Sequence, residues 1–115
     1  MDPLALLQTS IREFVAERDW QKFHDPKSLL LALVGEVGEL AELFQWLPAA
    51  DAAEMAAQEP LRSRVGEELA DVFIYLLQLA DSVGIDLIPV TNEKVEAARS
   101  RFPVAEIHGI APTKS

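Results

Sequence analysis

Between Leu29 and Phe44 the chain places large apolar residues nearly all the way round a helix: Leu29, Leu30, Leu31, Leu33, Val34, Val37, Leu40, Leu43 and Phe44. A helix at a domain surface needs only one apolar stripe. A helix that is apolar all round is enclosed by its neighbours or covered on one side by a second subunit. The chain has 115 residues, the size of one domain. A helical protein that small has room for one fully enclosed helix, so the segment predicts a homo-oligomer.

Prolines and their caps set the remaining elements. Asp2-Pro3 and Asp25-Pro26 each read as an N-cap followed by proline at the first helical position. After the first, Leu4, Leu7, Ile11, Phe14, Val15 and Arg18 keep helical spacing to about Trp20. The second helix is predicted from Pro26 to Trp46 or Leu47, where Pro48 prevents continuation. Residues 48–59 are rich in Ala and acids and read as a loop with room for one helical turn. Pro60 opens a third helix that runs to Val83, with Gly84 as a C-cap. Asp86 is the expected cap of a fourth, which has Pro89 in its first turn and ends at Phe102, before Pro103. No segment alternates as a strand does. The fold class is all-α, an antiparallel four-helix bundle over residues 1–105 with an irregular tail over 106–115.

Composition removes several function classes. Nineteen Asp and Glu against ten Lys and Arg give a net charge of −9. That argues against a nucleic-acid surface, which needs a basic footprint. Without cysteine there is no disulfide, zinc ribbon or thiolate chemistry. The start MDPLALLQTS has neither the basic nor the apolar region of a signal peptide. The run Leu29–Val34 is too short to span a bilayer. These features lead us to expect a soluble, cytoplasmic protein with no membrane partner.

Acids interrupt the apolar helices. Glu36 and Glu39 lie in the second predicted helix, Glu68 and Asp71 in the third. Each pair is spaced i, i+3 and so shares one helix face. Glu36 is in line with Leu29, Ala32, Leu33, Leu40 and Leu43, and Asp71 with Leu61, Glu68, Tyr75 and Leu79. One such pair is ordinarily a solvated face. Two pairs on faces that otherwise look buried are not, because an unpaired buried carboxylate costs several kcal/mol or takes up a proton. Lys27, Arg62 and Arg64 lie at helix starts, poorly placed to neutralise four acids. A divalent cation does so, and oxygen-only donors favour Mg²⁺, then Mn²⁺. A di-iron bundle would need Glu-x-x-His elements, which are absent. Glu13, Glu17, Glu42 and Glu67 read as exposed or ion-paired.

Gly35 and Gly38 alternate with these acids and serve either close helix packing or open space for a ligand. Trp46 follows Glu39 by seven residues, and Tyr75 follows Glu68 by seven. Each ring therefore shares its acid's face, displaced by about 10 Å. Trp20 is a third candidate ring. Phe14, Phe23, Phe44 and Phe73 are assigned to the core.

Gly35-Glu36-Val37-Gly38-Glu39 followed by Glu68-Leu69-Ala70-Asp71 resembles the EExxE…ExxD signature of the MazG-like all-α nucleoside triphosphate pyrophosphohydrolases. The nearest branch is the small dCTP pyrophosphatase type, and the resemblance extends over roughly residues 10–105. It implies that Glu36, Glu39, Glu68 and Asp71 bind Mg²⁺, with Glu39 also a candidate to orient the attacking water. It implies base and sugar contacts at Trp20, Trp46 and Tyr75, and a phosphate or substrate contact at Lys94. The implied products are a nucleoside monophosphate and pyrophosphate, in a role of nucleotide-pool sanitation, and the implied assembly is a tetramer of two tight dimers. Gly35 stands where the fuller signature has Glu, Ala98 where several relatives have Asn, and Ile11 where some have His. Those departures lie outside the family pattern and keep a second function class open, a non-catalytic helical module that binds a nucleotide or a partner.

Overall fold

The structure, a computed structural model, describes residues 2–112, and among them all regular structure is helical. Both Asp-Pro signals open helices. Asp2 is extended and accepts a hydrogen bond from the Leu4 N–H at 3.0 Å at the start of α1 (Pro3–Glu17). A single 3-10 turn, Gln21–Phe23, leads to α2 (Pro26–Phe44). There Asp25 accepts from the Ser28 N–H at 2.9 Å and from the Ser28 hydroxyl at 2.6 Å. These bonds hold the Asp25 carboxyl below its usual range.

α2 stops short of the predicted Trp46. Proline disfavours helical dihedrals in the residue before it, here Leu47. The chain tightens instead, and the Leu47 N–H bonds the Phe44 carbonyl at 2.9 Å. The Ala-rich stretch holds a five-residue helix, α3 (Ala52–Ala56). α4 (Leu61–Ser82) follows Pro60. Proline has no capping side chain, and Glu59 takes that role, its carboxylate accepting from the Ser63 N–H at 2.9 Å and from the Ser63 hydroxyl. At the other end Gly84 adopts φ +69°, the left-handed conformation that closes helices at low cost in glycine.

α5 (Leu87–Arg101) begins after Asp86, but Asp86 makes no capping hydrogen bond; its extended backbone alone starts the helix. The expected irregular tail, 106–115, is helical only at its start; residues 108–112 have no regular structure, and 113–115 lie outside the described residues. Residues Val104–Ile107 form one further turn, α6, because Pro103 fixes an extended entry that releases directly into helix.

The chain divides into two compact units, one ending at Val83 and one beginning at Gly84. The first holds α1 to α4. Its largest helix contact is α2 against α4, with smaller contacts of α1 and α3 on α4. The two long helices are antiparallel: Leu29 near the start of α2 lines the same cavity as Leu77 near the end of α4, while Glu39 near the end of α2 meets Glu68 near the start of α4. Val15, Leu29, Leu77 and Ala80 are the buried core, with Leu29 only 1% exposed. The second unit holds α5 and α6.

Three rings assigned to the core are not in it. Phe14, Phe23 and Phe73 are exposed, and Phe44 is half-buried. Within the first unit, the neighbouring helices cover one side of α2. Leu30, Leu31, Val34 and Val37 on the other side of α2 are 46–59% exposed. No single described helix is long and apolar enough to cross a membrane.

Candidate metal centre

Glu36 and Glu39 on α2 and Glu68 on α4 each place one carboxylate oxygen within 4.8 Å of the others. Sequence spacing brings Glu36 and Glu39 to one face, and the antiparallel register brings Glu68 opposite. Glu36 and Glu68 are half-buried and Glu39 is exposed. Asp71, the fourth expected ligand, is exposed and outside this group, one turn further along α4. Its charge still reaches the group.

Burial and mutual repulsion set the electrostatics of the group. Burial raises the Glu36 carboxyl above its usual range, followed by the hydrogen bond and charge of Glu39 and by the charges of Asp71 and Glu68. Burial also raises Glu68, followed by the charges of Glu39 and Asp71. The Oε2 atoms of both residues are buried with no hydrogen-bond partner. The ion pairs of Arg12, Arg18, Lys22 and Arg99 go elsewhere, to Asp81, Glu17, Asp19 and Glu96. Unpartnered oxygens on mutually repelling carboxylates fit a hard divalent cation, which neutralises the charge and takes the free lone pairs. The oxygen-only donor set does not itself choose among such ions.

A Cβ added at Gly35 or Gly38 would meet nothing within 4 Å. Close helix packing inside the chain is therefore not their purpose, and the space beside the acids is open. The aromatic candidates are spread out. Trp46 lies just past α2 and is 85% exposed. Trp20 follows α1 and meets Phe14 edge-to-face, with centroids 5.7 Å apart. Tyr75 is half-buried in the middle of α4. Lys94 is exposed on α5, in the second unit. Glu13, Glu17, Glu42 and Glu67 are exposed, as expected.

The MazG-like family's sequence model matches residues 32–113, most of the chain and all four acids. The chain belongs to the MazG-like family. Within it, this MazG-like chain is 52% identical over 99 residues to the rat (Rattus norvegicus) dCTP pyrophosphatase 1, covering 86% of this chain and 58% of that protein. It is 50% identical over 91 residues to the human (Homo sapiens) dCTP pyrophosphatase 1, covering 79% of this chain and 54% of that protein. The chain thus spans little more than half the length of the curated relatives it matches. Among solved structures it is similar to a pyrophosphatase from Archaeoglobus fulgidus DSM 4304, with a TM-score of 0.81 and 38% identity, covering 90% of this chain and 94% of that one.

Two features of this MazG-like chain escape sequence reasoning. Gln78 carries a buried, unpartnered Oε1. Arg12 on α1 holds Asp81 on α4 in a two-point ion pair, with contacts of 2.7 and 3.0 Å. Spacing does offer a signal for Gln78, three residues after Tyr75 on the face that carries the acids. Nothing local links Arg12 to Asp81, 69 residues away.

Proposed function

We propose that the chain is a Mg²⁺-dependent nucleoside triphosphate pyrophosphohydrolase, acting on dCTP or related and modified triphosphates to give the monophosphate and pyrophosphate. The observation that carries this reading is the Glu36–Glu39–Glu68 group with its unpartnered buried oxygens. The similarity to proteins named dCTP pyrophosphatase 1 supports the substrate class.

Glu36, Glu39 and Glu68 hold the metal in this proposal, and Asp71 joins them by side-chain rotation. Mn²⁺ is the second choice of ion. The ion, when bound, supplies charge neutralisation for the phosphates and a polarised water. Phosphoryl transfer asks little covalent chemistry of the protein beyond this positioning. Glu39 is the exposed member of the three and is our candidate to orient the attacking water. Trp20, Trp46 and Tyr75 contact base and sugar, and Lys94 contacts phosphate or another part of the substrate.

The assembly we propose is a tetramer of two dimers, each chain contributing a four-helix bundle domain over residues 1–105. The exposed stripe Leu30, Val34 and Val37, with Leu31 beside it, supports it. Helical spacing puts these residues opposite the acids, so a second copy can cover them without closing the site. The setting we propose is the cytoplasm, in nucleotide-pool sanitation and without nucleic acid or membrane as partner. A panel of canonical and modified triphosphates, with product identity recorded, tests the reading. Pyrophosphate from dCTP-like substrates supports it, and orthophosphate alone overturns it.

A further inference from the structure

We propose that Asp19 is a positioning residue for Trp20, holding that ring ready to stack on the nucleotide. The inference deepens the pyrophosphohydrolase reading and rests on it, since that reading gives Trp20 its base or sugar contact. Asp19 is the one non-glycine residue among those described with a positive φ, at +54°. A Cβ disfavours this left-handed conformation, although Asp tolerates it better than most residues do. Such backbone outliers persist only where the surroundings impose them, and they gather at ligand sites.

The surroundings here are specific. The Asp19 N–H donates to the Ala16 carbonyl and the Trp20 N–H to the Val15 carbonyl, both at 3.1 Å. That pair of bonds is a Schellman motif, with Asp19 at the left-handed position and Trp20 next in line. An apolar contact back onto the last turn of the helix accompanies the motif, and here Trp20 meets Phe14 edge-to-face, with centroids 5.7 Å apart. Phe14 is held in turn: the Arg18 guanidinium lies 4.0 Å from its ring centroid and donates to its carbonyl at 3.0 Å. On the other side of Trp20, the Lys22 ammonium donates to the Asp19 carboxylate at 3.0 Å and ties the 3-10 turn to the same residue. Glycine would make the backbone turn with less strain but would lack that tie.

None of this buries the rings. Trp20 and Phe14 are both exposed, so their contact adds little to the core. A large ring fixed from its backbone side and open to solvent loses little freedom when a planar base stacks on it, and preorganisation of that kind lowers the cost of binding. Stacking asks only for a π-face and tolerates any base. Asp19 therefore acts on affinity, through Trp20, and leaves the chemistry at the acids alone.

The test compares dCTP hydrolysis by the full chain with that of Asp19→Asn, Asp19→Gly and Asp19→Val. Asn and Gly accept a positive φ, and those two variants should keep KM within about twofold. Valine resists it, and Asp19→Val should raise KM about fivefold or more while kcat stays within about twofold. An unchanged KM in Asp19→Val beside a lowered melting temperature marks a merely structural cap and overturns the inference, as does an equal rise in all three variants. Should Asp19→Val not fold, Phe14→Leu removes the ring that steadies Trp20; the same rise in KM is expected, and an unchanged KM overturns the inference. The NMR signal of the Trp20 indole N–H, followed as dCMP is added, separates this inference from the enzyme reading. A shift in the parent that needs more dCMP in Asp19→Val supports the held ring even in a chain that hydrolyses no triphosphate. No shift in a parent chain that does release pyrophosphate overturns the inference and leaves the enzyme reading standing.

Discussion

Glu36 on α2 and Glu68 on α4 lie opposite one another, each with its Oε2 buried and unpartnered and a carboxylate oxygen within 4.8 Å of the other residue's. A bundle stabilised by its own side chains has no use for that arrangement. It offers a divalent cation three carboxylate oxygens within 4.8 Å of one another.

The first prediction concerns metal. Mg²⁺ or Mn²⁺ should raise the melting temperature, because a ligand that binds only the folded state stabilises it by mass action, about 2.7 kcal/mol at a hundredfold excess over Kd. Glu68→Gln should abolish the rise. Without metal the same variant should melt no lower than the parent, since it removes a charge that repels Glu39 and Asp71. Differential scanning calorimetry with EDTA and with each metal measures both effects.

The second prediction is a pH dependence that changes sign with metal. Glu36 and Glu68 are raised above an ordinary 4.5, so the folded state holds their protons more tightly than the unfolded state does. Their contribution favours folding at low pH and is lost as pH rises through the raised values. Asp25 and Asp81 are lowered below 3.8, and their contribution is lost only as pH falls through those depressed values. Between pH 7.5 and 5, the metal-free chain should therefore gain or hold stability on acidification. With saturating Mg²⁺ the chain should lose it, because protons displace the ion. Parallel pH profiles with and without metal would contradict this account.

The third prediction tests the packing beneath the site. Leu29 is almost fully enclosed, and Leu29→Ala should cost about 2–5 kcal/mol in urea denaturation. Leu31→Ala, at 59% exposure, should cost far less in a dissociated chain.

The contrast between Leu29 and Leu31 marks what was legible in the sequence. Helix starts were readable because Asp-Pro is a local signal, and both such pairs form caps. The acids were readable because i, i+3 spacing defines a face wherever the helix lies. Which side of an all-round apolar helix is covered is decided by tertiary contact, and so Phe14, Phe23 and Phe73 were wrongly assigned to the core. Asp86 fails as a cap because a capping residue must also turn its side chain onto the helix start, which composition does not encode. The Arg12–Asp81 pair depends on how α1 meets α4 and has no sequence signature at all.

The fourth prediction addresses assembly. Val34→Lys places a charge in the exposed apolar stripe of α2 without touching the acids. Sedimentation velocity should move toward smaller species, with Mg²⁺ still raising the melting temperature of the variant. An unchanged sedimentation coefficient would remove this face from the interface.

The most direct measurement is pyrophosphate release from dCTP by the purified chain as Mg²⁺ is titrated, run beside Glu39→Gln. The account predicts dCMP and pyrophosphate in equal amounts, a rate that vanishes with EDTA, and a loss of at least about a hundredfold in the variant, the scale on which general acid–base groups act. Orthophosphate as the product, or a rate indifferent to Mg²⁺ and to Glu39→Gln, would contradict it.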